Sequence, residues 1–436
     1  MTVQNYLREW TGQPVRDILS GMVGTFALIP EVIAFSYVAG VAPEVGLFAS
    51  FVISVVIAIT GGRPGMISGA AGSVALVAAS LVHTHGLQYL LLATLMAGGI
   101  QIVFGLLRLQ SIMCFVSREV ETGFVNALAI LIFSAQLPQM LHVSWHTYAL
   151  IALGLAIVYL LPRLSAAIPS PLVCIVVLTA LCAVVPMPVR VVADLGALPT
   201  GLPHFTLPAV PLSTDALLTV LPYAFAMAMV GLLESLMTAA VVDEMTDTHS
   251  SKRMECTGLG LSNIMAGLFG GIAGCGMIGQ PVGNLRYGGR GRQSTLSAGA
   301  FLPLLLVAFP PRVGRVSAAP PFAHHTMVSI LLFSWPYHCD LLRHPRLSSA
   351  VMLVTVAVVV ATHDLAAGVA CGVLLNGLFF SFQVMRLVTV STQDSADGQT
   401  RTYHVRGELF FASASLLPDA VDFQDHATNV VIDLAD

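Results

Sequence analysis

The chain has 436 residues, of which 56% are hydrophobic and 10% charged, and its formal net charge is −4. Soluble domains carry about 25% charged residues, so a soluble globular class is excluded: a chain this apolar has too little polar surface to cover itself. Its 19 Lys and Arg residues are spread along the whole length, which excludes a nucleic-acid surface built on clustered phosphate contacts.

A helix that crosses a bilayer needs about 20 apolar residues. Residues 1–16 read as a cytoplasmic N-terminal segment, with Asn5 to Trp10 as an interfacial start and Trp10 at headgroup depth. Apolar stretches follow at 18–40, 42–60, 66–83, 87–107, 122–140, 146–161, 168–186, 217–241, 257–273, 276–288, 294–310, 326–337, 348–362 and 365–385, fourteen in all. The first has no small-residue cleavage site and many others follow it, so it reads as a retained span and not a removed signal. With the N-terminus cytoplasmic, loops after even-numbered spans share that side. Sixteen of the 19 basic residues then fall there, and only Arg190, Arg312 and Arg315 fall outside. This bias satisfies the positive-inside rule and supports the span count.

In span one, Glu31 follows Pro30, a residue expected to break the helix and free backbone groups. Span three opens 37 residues beyond Glu31, on Ser68, Gly69, Ala70, Ala71, Gly72 and Ser73. The proline-rich stretch Val191–Thr214 reads as a loop between two halves, about 17–190 and 215–388. The second half repeats the pattern. Glu234 lies mid-span, and a short glycine-opened span starts 40 residues later at Gly274, running through Gly276, Met277, Ile278, Gly279 and Gln280. Each half has an odd number of spans, so the second is inverted relative to the first. Inverted repeats with interrupted helices mark secondary transporters that bind near the bilayer midplane. The expected fold is therefore an all-α polytopic membrane protein with fourteen transmembrane spans in a 7+7 inverted repeat. Residues 389–400 read as a polar linker. Residues 401–436 read as a soluble segment with strands near Tyr403–Ala412 and Asn429–Leu434, too short to close a core alone.

Carboxylates inside a bilayer cost roughly 2.5–3.5 kcal/mol on insertion scales, so each needs a reason. Glu31 suits proton coupling or a substrate cavity; the plainer reading is a protonated acid bonded to freed backbone. Glu234 and Thr238 share a helical face with Ser235 beside them, either as cavity lining or as helix–helix glue. Asp243, Glu244 and Asp247 read as a solvated face. The glycine-opened spans offer unpaired N–H groups and a partial positive charge, which suit an anion without burying a cation. The seven cysteines form no CxxC pair and read as buried small apolar side chains. Neither a nucleophile–base pair nor a metal-ligand run such as HExxH occurs, so no enzyme, metal or cofactor is expected; His83, His85, His324 and His325 read as solvated.

Three motifs carry a resemblance. Ile29–Gly40 followed by Pro43–Phe51 resembles the first-helix signature of the SulP family of sulfate permeases and related anion transporters. Leu233–Thr238 and Gly270–Gln280 resemble its eighth- and tenth-helix motifs, and similarity runs from about residue 16 to the end. The resemblance implies a core domain moving against a gate domain, a homodimer, and a cytoplasmic STAS domain of α/β type, of which the tail resembles the first third. It places the anion between the N-termini of helices three and ten. Carried across, the site comprises Glu31, Phe35, Ser68 to Ser73, Glu234, Thr238 and Gly276 to Gln280. Sodium-coupled bicarbonate relatives use a threonine on helix ten where this chain has Ile278, which with Glu31 favours proton coupling through Glu31 and Glu234.

The stretch Arg312–Thr326 departs from the family pattern and leaves span twelve about half its expected length, from Met327 to Trp335. The function expected is secondary active transport of a small inorganic or organic anion (sulfate, bicarbonate or a small dicarboxylate) by alternating access, coupled to protons. The alternative is an anion channel, an exchanger or a voltage-responsive protein. Those relatives rely on a cation between the two helix starts, and Ser68–Ser73 and Gly274–Gln280 contain no Arg or Lys. The expected location is the inner (plasma) membrane, with both termini cytoplasmic.

Overall fold

The computed structural model describes residues 3–111, 116–140, 144–164, 170–185, 201–211, 213–308, 330, 333, 346–362, 365–385, 389–395, 400–407 and 429–434. A short helix α1 (Val3–Thr11) precedes α2 (Pro14–Val38) and α3 (Pro43–Thr60). The last two begin on a proline, whose missing N–H would have had no helical partner in a first turn. A two-residue strand β1 (Gly69–Ala70) leads into α4 (Gly72–His85), then α5 (Leu87–Leu106), α6 (Arg118–Met140), α7 (Trp145–Leu164) and α8 (Ser170–Val184).

The second half opens in the same order. Helix α9 (Thr214–Thr246) and α10 (Lys252–Leu268) are followed by strand β2 (Gly274–Cys275), α11 (Gly279–Arg286) and α12 (Arg292–Ala308). Ser213 and Ser251 cap α9 and α10 by accepting from Ala216 N and Met254 N at 3.2 and 3.3 Å. Two more helices, α13 (Arg346–Thr362) and α14 (Leu365–Met385), end this region. Helices thus coincide with predicted spans one to eleven, thirteen and fourteen. Predicted span twelve and the stretch 312–326 lie outside the described residues, save positions 330 and 333.

By length and apolarity, α3, α5 and α9 each suffice to cross a membrane. The third and tenth predicted spans do not: α4 has 14 residues and α11 has 8, against about 20 for a full crossing. The expected break at Pro30 is corrected. Helix α2 runs unbroken from Pro14 to Val38, because in a packed bundle neighbouring elements satisfy the backbone groups a proline frees.

The main apolar core is built by α2, α3, α4, α5, α9 and α10, with Leu28, Val32, Ile53, Val74 and Leu259 among its fully buried side chains. Helices α5 and α10 touch backbone to backbone. A Cβ on Gly98 would stand 2.5 Å from Gly260 O, and one on Gly260 would stand 2.5 Å from Gly98 O. Such small-residue crossings replace the hydrophobic drive that is missing between helices in lipid. Helix α12 closes on α2 through Thr25 Oγ1, which donates to Ala298 O at 2.9 Å. A second, smaller cluster joins this bundle to α6 and α13. It consists of Phe124, Ala127, Leu128 and Leu131, Val230, Leu233 and Met237, and Val359.

At one end of the bundle, Arg292 is 1% exposed. Its Nε donates to Glu9 of α1 at 2.7 Å, and its other nitrogens reach the carbonyls of Ala58, Ile59 and Gly61. Nearby, Asp243 corrects the expectation of a solvated face. It pairs with Arg63 at 3.2 Å and Lys252 at 2.9 Å, because α9 ends against the turn after α3 and the start of α10. Glu244 and Asp247 are exposed, as are His83 and His85.

Strands β3 (Thr389–Asp394), β4 (Thr400–Arg406) and β5 (Asn429–Asp433) form one sheet in the order β3-β4-β5, antiparallel then parallel. Residues 389–394 and 400 of the expected linker 389–400 are therefore strand. The β-branched run at Thr389, Val390 and Thr392 pairs along β4, and Arg401 fastens the far end to Asp394 at 2.6 Å.

Candidate functional site

The two halves meet where β1 and β2 pair antiparallel, Gly69 opposite Cys275 and Ala70 opposite Gly274. Glycine is needed for this approach: a Cβ on Gly274 would stand 2.0 Å from Gly69 O. Helix α4 starts at Gly72 and α11 at Gly279, each just past its strand. The first turns of both carry N–H groups with no helical partner and the positive end of a helix dipole.

Irregular backbone inside an apolar bundle must find partners for its polar groups. Side chains from the surrounding helices supply them. Ala70 N–H donates to Ser50 Oγ at 3.0 Å, and Ser54 Oγ donates to Ser68 O at 2.6 Å. Asn263 holds Gly274 at both ends, accepting its N–H at 2.9 Å and donating to its carbonyl at 3.2 Å. Asn263 also donates to Gln101 Oε1 at 2.8 Å. Gly276 N–H donates to Ser235 Oγ at 2.8 Å, while Thr238 Oγ1 donates to Gly276 O at 2.6 Å.

The two intramembrane acids are buried at this crossing, Glu31 at 6% exposure and Glu234 at 7%. Gln280 Nε2 donates to Glu31 Oε2. Ser73 Oγ donates to Glu234 Oε2, and Cys275 Sγ reaches the same oxygen at 3.1 Å. The arrangement is reciprocal. An acid from the first half bonds the second residue of α11, and an acid from the second half bonds the second residue of α4.

The remaining predicted residues gather around these bonds. Phe35 is buried, its ring lying over the start of α4, where a Cβ on Gly72 would meet it at 2.6 Å. Ala71 and Met277 are buried and Ile278 is half-buried. Ser68 is fully buried, and its hydroxyl, 3.2 Å from where a Gly276 Cβ would lie, has no hydrogen-bond partner among the described residues. Gly279 alone of the predicted set is exposed, and a Cβ placed on it would meet nothing within 4 Å among the described residues, so a side chain there would have room over the first turn of α11.

Two side chains are defined more closely than the sequence allowed. Thr238 donates its hydroxyl to the carbonyl of Gly276, a contact between α9 and the residue after β2 of the kind given as the alternative to cavity lining. Cys275 is not merely apolar filling but a hydrogen-bond donor to Glu234. Asn263 and Gln101 are site residues that the sequence motifs do not include, although polar amides inside apolar spans are the signal that marks such pins. Ser68–Ser73 and Gly274–Gln280 contain no Arg or Lys, and the two helix starts each contribute a partial positive charge beside the crossing.

The sulfate permease family model matches residues 15–153 and 139–319. The chain is 49% identical over 429 residues to YbaR of Bacillus subtilis (strain 168), which carries a provisional name as a sulfate transporter; the match covers 98% of this chain and 89% of that protein. It is 28% identical over 325 residues to the bicarbonate transporter BicA of Picosynechococcus sp., covering 67% of this chain and 56% of that one. The fold is similar to that of the murine Solute Carrier 26 family member A9 anion transporter in the inward-facing state. That match has a TM-score of 0.80 at 18% identity, and covers 99% of this chain and 83% of the other.

Proposed function

The chain belongs to the sulfate permease family and is a multi-pass membrane anion transporter, and from that premise we propose that it is a proton-coupled symporter working by alternating access. One observation carries the coupling. Each buried acid is hydrogen-bonded to the first turn of a half-helix, the same turn whose N–H groups suit an anion. A carboxylate beside a bound anion is a like-charge neighbour in a poorly screened site, which costs several kcal/mol at low effective dielectric. Protonating Glu31 or Glu234 removes that repulsion, so proton and anion favour each other's binding. This is coupling in its thermodynamic sense.

The anion site comprises the starts of α4 and α11, with Phe35, Ser68 to Ser73 and Gly276 to Gln280 around it. The substrate is a small oxyanion. Sulfate leads, given the likeness to YbaR, with bicarbonate and small dicarboxylates as the other members of the class. A sodium ion lacks a hydroxyl ligand at Ile278, which supports protons as the coupling ion. Alternating access is motion of a core (α2–α5 and α9–α12) against a gate (α6–α8, α13 and α14). The apolar cluster of Phe124, Leu131, Val230, Met237 and Val359 supports such motion, since apolar contacts slide without breaking hydrogen bonds. The transporter sits in the inner (plasma) membrane as a homodimer, with both termini cytoplasmic.

Uptake into proteoliposomes, measured with labelled sulfate, bicarbonate and succinate under imposed proton and sodium gradients, tests this reading. An inward proton gradient should accelerate uptake of one of these anions, and sodium should have no effect. Uptake that follows sodium, or that is indifferent to the proton gradient, overturns it.

A further inference from the structure

Glu234 Oε2 collects hydrogen bonds from both halves of the chain. Ser73 reaches it from the first turn of α4, and Cys275 reaches it from β2 at 3.1 Å. The two donors are themselves close, with Ser73 Oγ and Cys275 Sγ 4.0 Å apart. Cys275 is fully buried and cannot turn away into solvent. It also occupies the register position opposite Gly69, so its place is set by the strand pairing that joins the halves. One carboxylate oxygen is thus held at the point where the half-helices cross.

We propose that Cys275 and Ser73 are positioning residues for Glu234, tying the ionisation of this acid to the separation of the two half-helices. The inference rests on Glu234 being a coupling acid. Both donors favour a carboxylate acceptor while the crossing is closed, and Glu234 on α9 cannot keep both of them once α4 and β2 move apart. The titratable group bonded to Glu234 is the Cys275 thiol, and from α2 the carboxyl of Glu31 lies within reach of its charge. Helices α4, α5, α6, α10, α11, α13 and α14, which pack around α9, carry charged side chains only near their ends.

The test uses the full chain in proteoliposomes, with initial uptake rates followed across a pH series. Cys275→Ala should displace the midpoint of the uptake–pH curve by roughly one pH unit or less, the scale of one hydrogen bond to a charged group. Cys275→Ser keeps a donor in nearly the same volume and should return the midpoint to the wild-type position, a rescue that a packing role would not produce. Ser73→Ala, which deletes a hydroxyl without changing the backbone, should displace the midpoint further, because a hydroxyl is a stronger donor than a thiol. Glu234→Gln serves as the reference and should flatten the curve. If Glu234→Gln flattens it while Cys275→Ala and Ser73→Ala both overlay the wild type, the positioning role is overturned and the coupling role of Glu234 stands. If Glu234→Gln leaves the curve unchanged, both are overturned.

Discussion

Glu31 on α2 accepts a hydrogen bond from the side-chain amide of Gln280 on α11, 249 positions later in the chain. Glu234 stands in the matching relation to Ser73 on α4. Each acid belongs to one half of the molecule and is fastened to the half-helix of the other. Neither half-helix can therefore shift alone without disturbing an acid. Under the proposed function, an anion settling on either helix start approaches one of these two carboxyl groups.

The first prediction follows from the donor. Glutamine at position 31 keeps a carbonyl oxygen where Glu31 Oε2 lies, so Gln280 retains an acceptor while the titratable proton is lost. Uptake by Glu31→Gln should lose its dependence on the proton gradient, with the apparent KM for the anion within about threefold of wild type, the signature of intact ground-state binding. Parallel uptake curves at several pH values check this. Full pH dependence in the variant would shift the coupling role to Glu234.

A second prediction contrasts two glycines of the same motif. A methyl at Gly274 would collide with the backbone of Gly69 at 2.0 Å, and no side chain can move to relieve it. Gly274→Ala should lower the thermal midpoint in detergent and abolish uptake, since the strand pairing must open. At Gly279 a side chain meets nothing within 4 Å. Gly279→Val should fold normally, losing about 1 kcal/mol or less, yet raise KM about tenfold or more by occupying the space over the start of α11. Wild-type kinetics in a folded Gly279→Val protein would remove the anion from this position.

Much of this arrangement is legible in the residues themselves. Helix positions follow from apolar run length, which the bilayer imposes, and the acids stand out because a carboxylate in an apolar run needs a partner. The half-helices are legible from their glycine-rich starts. The partners are less so. Nothing local in Gly274–Gln280 says that Asn263 and Gln101 lie behind it, or that Ser235 and Thr238 grip opposite ends of Gly276. Those contacts come from other helices, α9 and α10 within the second half and α5 from the first, and only the packing of the bundle brings them to this stretch. Pro30 misleads for the converse reason. Its local rule is to break a helix, and tertiary packing overrides it in α2.

The third prediction concerns that grip. Thr238→Val keeps the shape of the side chain but leaves the carbonyl of Gly276 without its donor, and Ser235→Ala does the same to the N–H. A buried polar group left unpaired costs about 1–3 kcal/mol. Each variant should lower the thermal midpoint, and the double variant should cost less than the sum, because both act on one residue's backbone. Loss of uptake with an unchanged midpoint would instead mean that Thr238 meets the anion.

The last prediction separates two arginines that sit close in the sequence. Arg286 ends α11 and is exposed, so Arg286→Ala should change stability by about 0.5 kcal/mol or less. The cation that fixes this end of the bundle is Arg292. Its guanidinium is buried, bonded to Glu9 and to three carbonyls at the end of α3, and lies 4.7 Å from the ring centre of Tyr6. Tyr6 in turn donates from its hydroxyl to Ile59 O at 3.1 Å. One cation thus joins α1, α3 and α12. Arg292→Met fills a similar volume but leaves those carbonyls and a carboxylate unpaired, which should cost about 3–5 kcal/mol, as when one partner of a buried pair is removed. Glu9→Gln keeps an acceptor for Arg292 Nε and should cost far less, since Glu9 retains 24% side-chain exposure and the arginine keeps its carbonyls. Thermal midpoints and the yield of folded protein in detergent check the order. Equal midpoints for Arg292→Met and the wild type would mean that α1 is held by its own packing, with the arginine only resting against it.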